Sequence, residues 1–276
     1  MGDPAGAPRW GDGPGLLRLL DDIAHRRGWG DLLAQGTRRA AAQLGGRAPR
    51  LAMQVKGLEL PAFDPRATFG IAVGLATVSR GGDHRGGTTY AVEAARYPFP
   101  VDRFTLRGKA VLTVMVQDLN AVLDSLPVCG FGAAGFTPRP RLLELLTGLP
   151  ALRGLPGLAA AMLPGLARRG SSFGLLSRIM AAVTGEDWDD GRLSRAGDRI
   201  IAAERRFCLQ AGLDPADDDV PARFKTEAIT VAGAPRLIPE AGMRQALAEY
   251  YRLRGWDREG RPPAGRAEDQ GRGECG

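Results

Sequence analysis

Apolar positions recur at helical spacing along most of the chain. Leu16, Leu19, Leu20 and Ile23 fall on one face of a helix predicted over about Gly15–Arg27, with Asp21 and Asp22 opposite and Gly28 as its stop. His25 lies in its last turn, where a cation complements the helix dipole. A second amphipathic helix is expected over Leu32–Leu44, ended by Gly45 and Gly46. The mixed run LAMQVKGLEL (51–60) fits either a strand or an extended connection. Asp64 and Pro65 then introduce a helix near Arg66, whose small residues Gly70, Ala72, Gly74 and Ala76 predict close packing.

The central stretch, VMVQDLNAVLDSLPVCGF (114–131), predicts a helix with Val114, Leu119, Val122 and Leu123 inward and Gln117, Asp118 and Asn120 facing away. Asp124 and Cys129 come at its end, next to Pro127 and Gly130. A carboxylate and a thiol at a helix-to-loop junction can point into one cavity. Equally, Asp124 can solvate a helix end and Cys129 can serve as a small buried hydrophobe.

Further helices are expected over Ser177–Val183, Leu193–Leu209 and Glu240–Leu253. The second of these carries an apolar band of Leu193, Ile200, Ile201, Phe207 and Cys208, which places Cys208 in the core. Thr184–Trp188 turns the chain, and Asp214–Asp219 forms an acidic, capped loop. Residues 137–173 are a Pro/Leu/Gly-rich piece of short, broken turns. Residues 1–13 read as a disordered leader that only Trp10 could anchor, and the sequence from Arg261 onward, Cys275 included, as a polar tail.

Composition narrows the function. With 44% hydrophobic and 25% charged residues, the 276-residue chain can form one large core or two modest ones. No apolar run suits a membrane span and no signal-peptide core opens the chain, so a cytoplasmic location is expected. The net charge of +6 comes from scattered arginines, with lysine only at 56, 109 and 225, which argues against a nucleic-acid partner. Cys129, Cys208 and Cys275 are odd in number and far apart, so neither a disulfide framework nor a self-contained metal site is expected. The loop SRGGDHRGGTT (79–89) combines exposed backbone N–H groups with Arg80, His84 and Arg85; it suits a bound anion or polar cofactor, and equally an ordinary surface loop.

Six segments, taken in order, resemble the C-terminal half of the aldehyde ferredoxin oxidoreductase family: residues 16–46, KGLELPAFDPR (56–66), ATVSRGGDH (76–84), QDLNAVLDSLPVCGF (117–131), VTGEDW (183–188) and EYYRLRGW (249–256). The resemblance implies a mainly α fold, the two C-terminal helical domains without the N-terminal β-rich cofactor domain. Residues 14–60 would be the remainder of the middle domain, and residues 61–260 the C-terminal domain with 137–173 as an insertion. It also implies a tungsten- or molybdenum-bis-pterin cofactor, a 4Fe-4S cluster, a small aldehyde substrate and a ferredoxin-like electron acceptor. The N-terminal half would be supplied by a separate chain or by upstream sequence, and without it the chain would be inactive. The alternative is a cofactor-less remnant or helical interaction subunit.

Carried over by position, Asp124 would accept from the pterin's N–H groups and Val128 would give it backbone contact. Cys129 would be the last of four cluster thiolates. Arg80 would contact the cofactor, and His84 would stand beside the metal to donate to a substrate oxygen or move a proton. The family's further basic residue falls at Gly86, with Arg85 one step early, and Pro127–Val128 replaces the family's Gly-Leu before the cysteine.

Overall fold

The computed structural model describes residues 8–96, 100–126, 128–129 and 173–264; Pro127, Cys275, nearly all of the Pro/Leu/Gly-rich piece and most of the leader and tail lie outside them. Of the leader, Trp10 is fully exposed and anchors nothing among the described residues.

Four helices lead the chain: α1 (Gly13–Ala24), α2 (Trp29–Leu33), α3 (Thr37–Leu44) and α4 (Ala48–Leu51). Asp12 caps α1 by accepting from the Gly15 N–H at 2.8 Å, with a proline in the first turn. The helix expected over 32–44 is two helices, because the backbone at Gly36 turns to φ +83°. The new start is capped across the chain, the Thr37 N–H donating to Glu59 Oε1 at 2.6 Å. The run 51–60 is a tight hairpin of β1 (Gln54–Val55) and β2 (Leu58–Glu59), pairing Val55 with Leu58.

Helix α5 (Phe69–Thr77) is buried along its entire length. That is the outcome its all-round apolar sequence dictates, since such a helix has no face to give to water. Its small residues work as expected: a Cβ at Gly74 would stand 2.1 Å from the Gly87 carbonyl oxygen. After α6 (Tyr90–Glu93) comes α7 (Lys109–Ser125), packed against α5, α9 (Asp190–Gln210) and α11 (Glu240–Arg254). Between these lie α8 (Leu175–Thr184), α10 (Arg223–Thr226) and a second hairpin, β3 (Ile229–Val231) with β4 (Ala234–Arg236).

The surroundings of α7 correct the reading of its polar positions. Gln117 and Asp118 are only 1% and 2% exposed. They are inside because α11 brings Arg254 to them. Its guanidinium donates to Asp118, to Gln117 Oε1 at 2.9 Å and to Asp198 at 2.7 Å. A buried polar side chain is tolerated when its partners are built in. On α9 the apolar band also differs: Arg205 is fully buried, whereas Phe207 is 71% exposed and Cys208 half-buried.

Three apolar clusters hold these elements. One joins α5 to Val220, Phe224, Ile238 and Met243; another sets Tyr250, Tyr251 and Trp256 against Ala110 and Val114 of α7. The third gathers Val122, Leu123, Leu176 and Leu193 around the end of α7, with Val128 packed against it.

Candidate functional site

The Gly-rich loop after α5 is held from behind by Lys56, the first residue of KGLELPAFDPR. Its ammonium donates to the carbonyls of Ala76 at 2.5 Å and Val78 at 2.9 Å, the open acceptors at the end of α5. It also pairs with Asp218 at 2.7 Å, both groups being buried, and Asp218 in turn takes two hydrogen bonds from Arg205 and one from the Tyr251 hydroxyl. Burial is the largest influence on Lys56 and lowers its proton affinity, against the pull of Asp218. The neighbouring hairpin adds a second tie, the Gly82 N–H donating to the Val55 carbonyl at 3.1 Å.

Within the loop, Asp83 is the organiser. One carboxylate oxygen accepts from Arg80 Nε at 2.7 Å, and the other from the Arg85 backbone N–H at 2.9 Å. Partial burial pushes the Asp83 carboxyl up, but the Arg85 N–H and the Arg80 guanidinium outweigh it and hold it below its ordinary range. The His84 ring lies against Phe63, with centroids 5.5 Å apart, and its Nδ1 is 3.9 Å from Asp83 Oδ1.

The loop is joined to α7. Arg85 Nη2 donates to Asp124 Oδ1 at 3.0 Å, both side chains largely exposed, and the Asn120 amide donates to the Arg85 carbonyl at 2.6 Å. The substitution of arginine one step early therefore puts a cation directly on the carboxylate of α7.

Between this seam and α9 runs a cleft of about 510 Å³. Its floor includes Thr77 and Gln117, which are hydrogen-bonded to each other at 3.1 Å. Arg80, Asn120 and Asp124 line one side, and Glu204, Phe207 and Cys208 the other. Partial burial raises the proton affinity of Glu204; Arg80 opposes the rise and Asp124 adds to it.

Of the sequence candidates, Arg80 and Asp124 thus line one cleft, and Arg85 reaches it only through its hydrogen bond to Asp124. Val128 is packed into the apolar cluster beneath it, its N–H donating to the Leu123 carbonyl at 2.9 Å. Cys129 is an exposed free thiol, not a buried hydrophobe, and neither it nor His84 lines the cleft. Glu204 was not singled out by the sequence, and Phe207 was read only as part of the apolar band of its helix. Their spacing with Cys208 on one helical face was the available signal, but the apolar band suggested that this face was core.

Among the described residues no three His, Cys, Asp or Glu side chains are grouped to hold a metal ion. A 4Fe-4S cluster takes four thiolates and Cys129 offers one, so the described residues alone do not fit such a cluster. The cleft does fit a planar heterocycle bearing N–H donors, because it presents carboxylates and an exposed aromatic ring in one place.

The family model for domains 2 and 3 of aldehyde ferredoxin oxidoreductase matches residues 3–271. This chain belongs to that family. Similar relatives are the tungsten-containing aldehyde ferredoxin oxidoreductases of Pyrococcus furiosus, 34% identical over 265 residues, and Thermococcus kodakarensis, 32% identical over 265 residues. Each match takes in 95% of this chain and 37% of the relative. The chain therefore spans little more than a third of the length of the curated relatives it matches. Among solved structures, the active-site complex BamBC of benzoyl coenzyme A reductase, with bound 1,5-dienoyl-CoA, superposes with a TM-score of 0.55 at 19% identity, over 94% of this chain and 39% of that one. That likeness shows the fold alone. The architecture is accordingly that of the C-terminal helical domains of the aldehyde ferredoxin oxidoreductase fold, mainly α with two short hairpins among the described residues. No helix among them is long and apolar enough to cross a membrane.

Proposed function

We infer that this chain forms one wall of a tungsten- or molybdenum-bis-pterin site in an aldehyde-oxidising oxidoreductase. The observation that carries the reading is the seam joining the Gly-rich loop to the end of α7, where Arg85 meets Asp124 at 3.0 Å beside the cleft. Two segments of the family resemblance, far apart in sequence, meet there and offer carboxylate and guanidinium groups to a polar ligand. A separate chain or upstream sequence would supply the opposite wall, and the isolated chain would be inactive.

When bound, the metal–pterin group supplies the two-electron acceptor. An aldehyde and water yield a carboxylate, three protons and two electrons, the electrons passing to a ferredoxin-like protein. In this reading Asp124 accepts from the pterin's N–H groups, Val128 supports the same ring through its backbone, and Arg80 and Arg85 balance charge along the edge. His84, whose Nδ1 lies 3.9 Å from Asp83 Oδ1, donates to the substrate carbonyl oxygen or takes up a released proton. Cys129 has its thiol exposed and would serve a 4Fe-4S cluster only together with thiolates from the partner polypeptide.

Residues 14–60 would be part of a middle domain and 61–260 the C-terminal one; the three apolar clusters draw on no residue before Met53, and Met53 and Leu60 pack against the first of them. The setting would be cytoplasmic.

The test is to produce the chain together with the polypeptide that supplies the remaining length of its relatives, and to assay aldehyde-dependent reduction of ferredoxin. Turnover in the assembled complex, abolished by His84→Ala, is expected. An assembled complex loaded with metal that reduces no ferredoxin with any aldehyde would overturn the aldehyde assignment. The exposed leucines of α1, Leu16, Leu17 and Leu20, favour a second reading as a helical interaction subunit. In that case Asp124→Asn would leave partner binding unchanged and the complex would carry no metal.

A further inference from the structure

The α9 side of the cleft is not accounted for by any position carried over from the family. Glu204, Phe207 and Cys208 are spaced i, i+3 and i+4, so they share one helical face, and all three line the cleft opposite Asp124. Phe207 exposes 71% of its surface at a polar opening, an unusual place for a phenyl ring unless something planar covers it. Among the described residues Glu204 has no side-chain hydrogen bond or ion pair, although Arg80 and Asp124 are near enough to act on its charge. The helix that carries them is firmly placed. A Cβ at Gly197 would stand 2.6 Å from the Asp118 carbonyl oxygen, so α9 and α7 touch backbone to backbone, and Arg254 ties Asp198 of α9 to Asp118 of α7. The two sides of the cleft are therefore a fixed pair.

A 2-amino-4-oxo pyrimidine ring explains why two carboxylates would face each other here. Its amino group carries two hydrogens that point to opposite edges of the ring, one beside the ring N3–H and the other beside N1, which carries no hydrogen. One carboxylate can accept from only one of these edges. We propose that Glu204 accepts from the edge of a reduced pterin that Asp124 leaves open, with Phe207 stacked on the ring, so that α9 is the second jaw of the site. This rests on the pterin reading above and extends it to residues that reading does not use.

The probe is tetrahydrobiopterin, titrated anaerobically against the full chain by calorimetry. The wild-type chain should bind it. Glu204→Gln and Phe207→Ala should each weaken binding about tenfold, the scale of one charge-assisted hydrogen bond or one stacking contact. Phe207→Tyr should keep it, and Arg107→Ala, outside the cleft, should have no effect. Both jaw residues are exposed, so folding is checked by matching circular dichroism and thermal unfolding to wild type. Weakening by Asp124→Asn without any by Glu204→Gln or Phe207→Ala would overturn the jaw and leave the parent reading standing. No binding by the wild-type chain at millimolar probe would overturn both.

Discussion

Gln117 and Arg254 share one hydrogen bond that ties the floor of the cleft to the far side of the fold. Arg254 Nη2 donates to Gln117 Oε1 at 2.9 Å, the same oxygen takes the Tyr250 hydroxyl at 2.5 Å, and the amide nitrogen donates to Thr77 at 3.1 Å. Burial opposes the charge on Arg254, but Tyr250, Asp118 and Asp198 overcome it and raise its proton affinity. Arg254→Met removes the cation from a buried carboxylate and should cost about 3–5 kcal/mol, read as a fall in the denaturant midpoint. Asp198→Asn, at the more exposed end of the network, should cost much less.

Acid should loosen the cleft before it unfolds the core. The Asp83 carboxyl is held below its ordinary value of 3.8, so the stability it contributes is fully present above that value. It is lost as pH falls through the depressed folded value. Amide exchange in residues 79–89 should rise in that window, and Asp83→Asn should remove the pH dependence while costing about 1–3 kcal/mol at neutral pH.

The approach of α9 to α7 admits no side chain at position 197. Gly197→Ala places its methyl against the backbone of Asp118, where no rotamer change relieves the overlap. A loss of about 1–3 kcal/mol is expected, together with altered ligand binding in the cleft that α9 borders. Gly233→Ala is the comparison, a positive-φ turn with open space around it, where the strain is only local.

The two thiols among the described residues should separate by reactivity. Cys129 is exposed and Cys208 half-buried, so in the native chain iodoacetamide should label Cys129 well before Cys208. Peptide mass spectrometry reads the order. Assembly with a partner polypeptide that covers the end of α7 should protect Cys129.

The long helices were legible because their burial is one-sided. The Leu193–Leu209 and Glu240–Leu253 periodicities correspond to α9 and α11 to within a few residues. The inward turn of Gln117 and Asp118 was not legible, since the Arg254 that satisfies them lies 137 positions beyond Gln117. Periodicity reports apolar faces and says nothing of which polar groups will find partners. The break at Gly36 was hidden within an unbroken amphipathic pattern, which the positive φ overrides. Glu204 and Phe207 escaped for a related reason: an aromatic at helical spacing reads as core, and only the fold shows that Phe207 stays 71% exposed. Lys56 was noticed within a motif, but its role under the loop depends on Ala76, Val78 and Asp218, none of them its sequence neighbours.

The central claim is that this chain is one wall of a pterin site held by Asp124. It is tested most directly by metal and pterin content in the complex with the polypeptide that completes its relatives' length. Wild-type complex should contain tungsten or molybdenum together with pterin, and Asp124→Asn should lose most of both while still assembling. A complex that assembles with neither, or one whose content Asp124→Asn leaves untouched, would contradict the account.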